Sequence, residues 1–250
     1  MGIEAFNLPV IIKASQQVKR KERLLFFGYP NIFLSPGELS RNFGKKIRKN
    51  KDISAKNLGE ALGYQDILSN DFDDRADYQK NLNEPLPEEF TEQFDLVIDT
   101  GVLFWCFSPG AAFRNMASCL RTGGAIVHIC ALTGHIGRGY YNIHPRAFLD
   151  FYTNNGFHHI ATSVTSKRPV PSAFNKIRGG TWLAKQLGFG NKTFSVPDAQ
   201  HVYARQKGSV LQLTPEYTDP GLFLSGTSLG TYAFLRTQIQ DLNFPDPSWV

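Results

Sequence analysis

The chain has 250 residues, of which 42% are hydrophobic and 20% charged, and its formal net charge is +5. This balance is typical of a soluble globular protein and excludes an intrinsically disordered chain. No apolar run approaches the roughly 20 residues that a membrane-spanning helix needs. The first residues lack the pattern of a secretory signal, so we expect a cytoplasmic protein.

The three cysteines, Cys106, Cys119 and Cys130, stand in apolar stretches and form no Cys-x-x-Cys pair. Free thiols in a reducing compartment are the simplest interpretation. Positive charge is concentrated at 19–21 and 45–51, without interleaved aromatic residues. Such runs are more often solvated helix faces than nucleic-acid contacts, so a nucleic-acid substrate stays a minor alternative.

Short apolar runs alternate with helical stretches, which predicts an α/β fold with a doubly wound, mostly parallel sheet. In chain order, the predicted strands are 23–27, 66–69, 78–82, 94–99, 125–130, 157–166 and 200–206. Helices are predicted over 36–50, 58–63, 109–120 and 145–155, with 121–124 as a turn. We expect Leu25, Val97 and Val127 to be buried on neighbouring strands.

These elements fit one domain over residues 1–207 with a short N-terminal lead, and an extension at 208–250 that packs on the core. An open parallel sheet binds its ligands beyond the carboxyl ends of its strands. Candidate site residues are therefore sought directly after each predicted strand.

Three stretches resemble the middle of class I S-adenosylmethionine-dependent methyltransferases, namely 94–103, 112–116 and 120–128. Two more, 81–87 and 133–157, look like one branch of methyltransferase-like proteins. The resemblance implies a seven-stranded, Rossmann-like methyltransferase fold. It also implies S-adenosylmethionine as the cofactor, and methyl transfer to a small-molecule or glycan-type acceptor.

The cofactor-binding residues that this resemblance implies are Gly28, Tyr29, Asp71, Asn81, Asp99, Thr100 and Gly101. Gly28 has no Cβ, so the backbone there can approach the methionine part of the cofactor. The Asp71 carboxylate can accept hydrogen bonds from both ribose hydroxyls, and the Asn81 amide can bond the adenine amino group. Residues 99–101 would line the floor beside the methyl group.

Two departures from the family pattern support a second hypothesis, a catalytically degenerate methyltransferase-like binding or scaffold protein. The first loop of the family reads acidic-x-Gly-x-Gly-x-Gly. Here, 26–31 keeps one of the three glycines, and Phe26 replaces the acidic residue. Phe104 and Trp105 stand where Glu-His is frequent in the family.

The loop after the predicted strand 125–130 carries the candidate catalytic residues His135, Tyr140 and His144. A general base there would assist transfer to a hydroxyl or an ammonium acceptor. Next to a proline, His144 can instead cap the following helix, and Tyr140 can be a packing residue. We expect 131–144 and 213–234 to form the lid and walls of the acceptor pocket.

Other motifs are interpreted structurally. His128 is expected to be a hydrogen-bonded core histidine. The Gly-x-Ser-x-Gly sequence at 226–230 lacks a later histidine and predicts a turn at a helix start. His158 and His159 point to opposite faces of a strand, and the acidic run near Asp71 is not an EF-hand, so we expect no metal. Membrane contact is not expected, and the oligomeric state stays open.

Overall fold

The computed structural model describes residues 2–44, 53–133, 138–168, 179–187, 190–196 and 227–236. The strands in this part are β1 (Gly2–Glu4), β2 (Arg23–Phe27), β3 (Asn31–Phe33), β4 (Asp66–Asn70), β5 (Phe94–Asp99), β6 (Leu120–Thr133), β7 (Phe157–Arg168), β8 (Gly190–Val196) and β9 (Thr227–Arg236). The α-helices are α1 (Leu8–Gln17), α2 (Pro36–Phe43), α3 (Ala55–Leu62), α4 (Pro109–Ser118), α5 (Pro145–Asn154) and α6 (Gly180–Gln186). Short 3-10 helices span Ala5–Asn7, Glu88–Phe90 and Leu103–Trp105.

Seven strands form one sheet in the order β4-β2-β5-β6-β9-β7-β8. Strands β4, β2, β5 and β6 are parallel to one another, and β9 lies antiparallel between β6 and β7. Strand β8 is antiparallel to β7, so five of the seven strands run in one direction. A separate pair, β1 and β3, forms a small parallel sheet. The predicted α/β fold with a mostly parallel, seven-stranded sheet is confirmed.

Helices cover both faces of the large sheet, as a doubly wound fold requires. One apolar cluster joins the sheet to α4 and α5, and a second joins it to α1, α2 and α3. Leu25 pairs with Val97 on the neighbouring strand, and Val97 pairs with the residue preceding Val127. All three side chains are fully buried, as the sequence predicted.

Local capping signals set the helix bounds on the second face. Ser35 and Ser54 each begin a helix with a capping box, and each side chain accepts a hydrogen bond from a backbone N–H of the first turn. Gly44 and Gly63 end the same helices in the left-handed conformation. Helix α2 therefore stops at Phe43, and residues 45–50 of the predicted 36–50 helix lie outside the described residues.

The predicted N-terminal lead contains a regular element that the sequence analysis missed. Residues 8–17 form α1, whose apolar side packs against the sheet. The buried positions Leu8, Ile11 and Ala14 recur every three residues, and Pro9 stands in the first turn. That spacing was the available signal for a helix.

The predicted third strand, 78–82, is wrong. A single bridge between Asn70 and Tyr78 replaces it. Beyond that bridge, the backbone N–H of Lys80 donates to the Asn70 side chain at 2.8 Å, and the Asn70 amide donates to the carbonyl of Lys80 at 3.1 Å. Because a side chain takes up these backbone groups, the ladder of a strand cannot continue.

The prediction of a turn at a helix start for 226–230 is also wrong. Residues 227–236 form β9, which lies inside the sheet between β6 and β7. Gly and Ser at its start resemble a turn, but the following Thr, Tyr and Phe favour a strand. The described part of the predicted 213–234 lid is thus a sheet strand, and so is the described part of the 208–250 extension. The domain boundary at 207 stays a prediction, and the predicted strand 200–206 lies outside the described residues.

The Gly-Gly segment at 121–124 lies within β6, where the sequence predicted a turn. Leu120 pairs with Phe94, and the next pairing joins Ala125 to Leu96, so the intervening residues bulge from the ladder. Gly123 has a φ of 82°, which accommodates this bulge.

Candidate functional site

A cleft of about 500 Å³ opens at the carboxyl ends of β2, β4 and β5. Six of the seven predicted cofactor-binding residues line it, namely Gly28, Tyr29, Asp71, Asn81, Thr100 and Gly101. This volume and position are typical of small-molecule sites in open α/β sheets. The cleft is therefore the candidate ligand site of the chain.

Gly28 brings bare backbone to the cleft wall directly after β2. Its φ is 89°, and a Cβ added there would lie 2.5 Å from the Thr100 Oγ1 atom and 2.8 Å from a Val102 methyl carbon. Its N–H donates to the Asn70 carbonyl at 2.9 Å, which holds the turn against β4. Only glycine combines this backbone conformation with so close an approach.

Asp71 presents a carboxylate at the end of β4. Its Oδ2 atom accepts a hydrogen bond from the Tyr29 backbone N–H at 2.6 Å. Its Oδ1 atom accepts none from the described residues. Arg75 lies 4.3 Å from the Tyr29 ring centroid, but its guanidinium pairs with Asp73 at 2.7 Å. One carboxylate oxygen of Asp71 is thus open to a ligand in the cleft.

Asn81 also lines the cleft, but its amide is engaged within its own turn. The side-chain oxygen accepts from the Asn83 backbone N–H at 3.1 Å, and the amide nitrogen donates to Glu84 at 3.1 Å. Asn115, on α4, supports this turn from below by donating to the carbonyls of Leu82 at 3.0 Å and Glu84 at 2.7 Å. An adenine group near Asn81 would therefore meet an amide that already has partners.

Asp99 lies behind the cleft, where it is fully buried, and does not belong to the lining. The sequence predicted it beside the methyl group, and the structure corrects this position. Its Oδ1 accepts the backbone N–H groups of Gly101 at 2.9 Å and Val102 at 2.7 Å. Its Oδ2 lies 2.9 Å from His128 Nδ1, and His128 Nε2 lies 2.6 Å from the Tyr152 hydroxyl. Asp99 therefore shapes the floor of the cleft from within, and His128 is the hydrogen-bonded core residue that the sequence predicted.

The three predicted catalytic residues have different surroundings. Tyr140 lines the cleft with 66% of its surface exposed. His144 is the N-cap of α5, where its Nδ1 accepts the Arg146 backbone N–H at 3.1 Å. Burial, and secondarily the charge of Arg146, lowers the pKa of His144. His135 lies outside the described residues.

The predicted set of site residues leaves out several residues of the cleft. Asn70, Lys80, Asn83, Trp105 and Cys106 all contribute to the lining. Burial raises the pKa of the Cys106 thiol to about 12, with the Asp99 charge as a secondary cause, so it is a poor nucleophile. Asn70 follows the predicted second strand directly, and that position was the signal for it.

No group of three or more His, Cys, Asp or Glu side chains in the described ranges is arranged to hold a metal ion. Near Asp71, the acidic residues bond to other groups. Asp73 pairs with Arg75, and Asp77 accepts from Ser69 at 2.8 Å. None of the described helices is long and apolar enough to cross a membrane.

No protein-family model matches the sequence, and no curated protein matches it either. Among solved structures, the chain is similar to phosphoethanolamine N-methyltransferase 2 of Haemonchus contortus, with 13% identity and a TM-score of 0.45. That match covers 93% of this chain and 52% of the other, so this chain spans about half the length of that protein.

Two further solved structures are similar to most of the chain. A putative methyltransferase of Bacillus halodurans is 12% identical, with a TM-score of 0.45 and coverage of 93% of this chain and 99% of that one. A putative sarcosine dimethylglycine methyltransferase of Galdieria sulphuraria is 12% identical, with a TM-score of 0.43 and coverage of 93% and 85%. These values describe a likeness in shape only, so a function has to be argued from the residues of this chain.

Proposed function

We propose that this chain binds S-adenosylmethionine in the cleft and transfers its methyl group to a small-molecule acceptor. One observation carries the proposal: Gly28, Asp71 and Gly101 converge on one cleft from the ends of three neighbouring strands. In such sheets, a ligand crevice lies where the strand order reverses, which here is at β2. Bound there, the cofactor supplies an electrophilic methyl group.

The residues of the cleft suit each part of this cofactor. Gly28 lets the backbone after β2 lie directly against Thr100 at the cleft wall, where its bare main chain can contact the methionine part. The open oxygen of Asp71 can accept a ribose hydroxyl. Phe72, with 72% of its surface exposed, lines the cleft next to Asp71 and offers a ring face to adenine. Asn81 and Thr100 would complete the walls.

We assign proton removal from the acceptor to the loop between β6 and α5. His135 is our first candidate base, and Tyr140 is the second because its ring reaches the cleft. The Nδ1 lone pair of His144 is used in the cap of α5, which argues against His144 as the base. A base in this loop should raise turnover by about 10² or more while leaving cofactor affinity unchanged.

The direct test is calorimetric titration of the purified chain with S-adenosylmethionine and S-adenosylhomocysteine. We expect binding of both, and we expect Asp71→Ala to weaken it by about 1.5–3 kcal/mol, as is typical of hydrogen bonds to a charged group. Asp74→Ala is the matched control, because Asp74 is an exposed acid of the same loop that does not line the cleft. Equal affinity of the two variants would remove Asp71 from the site.

Absence of binding by the native chain would favour the second candidate, a degenerate methyltransferase-like binding or scaffold protein. The observation that favours this candidate concerns residues 26–31, which correspond to the first loop of the family. Phe26, at the position of the acidic residue of the family, is fully buried in the core. It therefore presents no polar group to a cofactor.

A further inference from the structure

Four exposed aromatic side chains lie on the two segments that follow β5 and β6 beside the cleft, and we call them the aromatic mouth. They are Trp105, Phe107, Tyr140 and Tyr141, with 48%, 71%, 66% and 38% of their surfaces exposed. Several exposed aromatic side chains beside one cleft form the kind of apolar surface that marks a binding site. Trp105 and Tyr140 also line the cleft itself.

Hydrogen bonds, a tight turn and a ring contact hold the aromatic mouth in place. The Tyr140 N–H donates to the Phe104 carbonyl at 2.8 Å, and the Tyr141 hydroxyl donates to the Phe107 carbonyl at 3.0 Å. Gly139 has a φ of 73°, and a Cβ there would lie 2.1 Å from the Phe104 ring. Phe107 and Tyr140 meet edge to face with ring centroids 5.7 Å apart. A preformed arrangement of this kind loses little conformational entropy on binding a ligand.

The position of the aromatic mouth separates it from Asp71 and Phe72, the residues proposed to contact the ribose and the adenine of the cofactor. Asp71 and Phe72 follow β4, at the edge of the sheet. Trp105 follows β5, and Tyr140 lies in the chain after β6, on the other side of β2 in the strand order. If the proposed function holds and Asp71 binds the ribose, the acceptor lies at the aromatic mouth.

The lining at this end of the cleft carries no charged side chain among the described residues. Its members are Thr100, Gly101, Val102, Trp105, Cys106 and Tyr140, whereas Asp71 and Lys80 belong to the segments after β4. Asn83 also reaches this end, but its side-chain oxygen accepts from the Ser108 backbone N–H at 2.8 Å and its amide nitrogen donates to Asn81 at 2.9 Å. Aromatic faces also attract ammonium groups, which makes choline the competing ligand to test. A phosphate or carboxylate acceptor would need a cation at the same place.

A sugar acceptor also fits this end poorly. Each buried sugar hydroxyl needs a hydrogen-bond partner, or its desolvation is uncompensated. The Thr100 hydroxyl already donates to the Phe27 carbonyl at 3.0 Å, and Thr100 is 2% exposed. The Cys106 thiol donates to the Val102 carbonyl. This end of the cleft therefore offers a ligand more aromatic surface than free hydrogen-bonding groups.

We infer that the acceptor of this site is an uncharged, planar aromatic molecule that stacks on Trp105 and Tyr140. That this molecule is a methyl acceptor rests on the proposed function. Its binding to the aromatic rings can be tested without cofactor. Stacking would cover the exposed faces of both rings, and it needs no charged partner.

The experiment is calorimetric titration of the full chain with 2-naphthol, without cofactor and with saturating S-adenosylhomocysteine. We expect Trp105→Ala to weaken binding about tenfold, because the ring contributes both contact area and stacking. Tyr140→Ala should act similarly, and Tyr140→Phe should retain most of the affinity since the ring remains. Trp182→Ala is the matched control, because Trp182 is also exposed, at 65%, but lies on α6 away from the cleft lining.

Unchanged 2-naphthol affinity in Trp105→Ala, or equal loss in Trp182→Ala, overturns the inference. Tighter binding of choline or of methyl β-glucoside than of 2-naphthol overturns it as well, in favour of an ammonium or a sugar acceptor. The two proposals fail separately. Binding of 2-naphthol without binding of S-adenosylhomocysteine contradicts the proposed cofactor but not the aromatic site. Binding of S-adenosylhomocysteine without binding of 2-naphthol contradicts only the aromatic site.

Discussion

Asp99 organises the floor of the cleft although it does not touch the space within it. Its carboxylate accepts backbone N–H groups of the turn after β5 and contacts His128 Nδ1. Because these N–H groups fix Asp99 as an acceptor, we assign the proton of His128 to Nδ1, so that Nε2 accepts from the Tyr152 hydroxyl. Burial, and then the Asp99 charge, raises the pKa of Tyr152, which keeps it a donor.

Sequence reasoning identified Asp99 but not what it does. The sequence was enough to place Asp99 directly after a strand, at the edge of the sheet where the carboxyl ends of parallel strands meet. Whether a carboxylate points into the cleft or back into the turn depends on φ and ψ over a few residues. His128 and Tyr152, which hold Asp99, are 24 residues apart in sequence, so no local pattern announces their contact.

Gly28 provides a prediction at this scale. We expect Gly28→Ala to lower the free energy of unfolding by about 2–4 kcal/mol and to abolish cofactor binding, because it adds both a strained φ and a collision with Thr100. Gly123→Ala is the matched control, since its φ of 82° is similar but nothing lies within 4 Å of the added Cβ. The control should cost about 1–2 kcal/mol and leave binding intact. Urea unfolding and calorimetry measure both effects, and equal losses in the two variants would contradict the steric argument.

At the level of elements, the sequence predicted best where the signal was a continuous apolar run. Strands β2 and β5 match their predicted bounds, and helix α5 differs by one residue. The predicted third strand failed because the Asn70 side chain takes the hydrogen bonds that a strand would need. Strand β9 was missed because Ser228 and Gly230 resemble a turn, and only its partners on both sides stabilise it as a strand.

Strand β9 gives the prediction at this scale. A chain ending at residue 226 should not fold cooperatively, because β6 and β7 would lose the strand between them and Phe234 would no longer stack on Tyr152 at 4.5 Å. A chain ending at residue 236 keeps every described strand of the sheet and is the control. Circular dichroism during urea titration should show a cooperative transition for the longer chain only. A cooperative transition of similar midpoint in both chains would show that β9 is dispensable.

For the whole molecule, pH dependence follows from the buried thiols. Burial raises the pKa of Cys106, Cys119 and Cys130 in the folded chain, that of Cys106 to about 12. In the unfolded chain these thiols titrate near ~8.5. Their folded pKa values lie above the unfolded ones, so this contribution to stability is complete below about pH 8.5 and is lost as the pH rises towards the folded values.

We therefore expect the free energy of unfolding to fall by about 1–2 kcal/mol per thiol between pH 8 and pH 10. Urea titrations at several pH values measure this slope. Cys119→Ala removes one thiol that is fully buried and outside the cleft lining, so it should reduce the slope by about a third. A slope that is unchanged in this variant would contradict the assignment to the cysteines.

The position of β9 also has a consequence for synthesis of the chain on the ribosome. Strands β6 and β7 are each hydrogen-bonded to β9, which is the last of the described strands to emerge. At about 5–20 residues per second, the stretch from the end of β7 to the end of β9 takes roughly 3 to 14 s to translate. Through that interval two strand edges lack their partner, and such edges recruit other strands. The nascent chain should therefore depend on chaperones until β9 arrives, and slowing translation across 169–236 should increase aggregation.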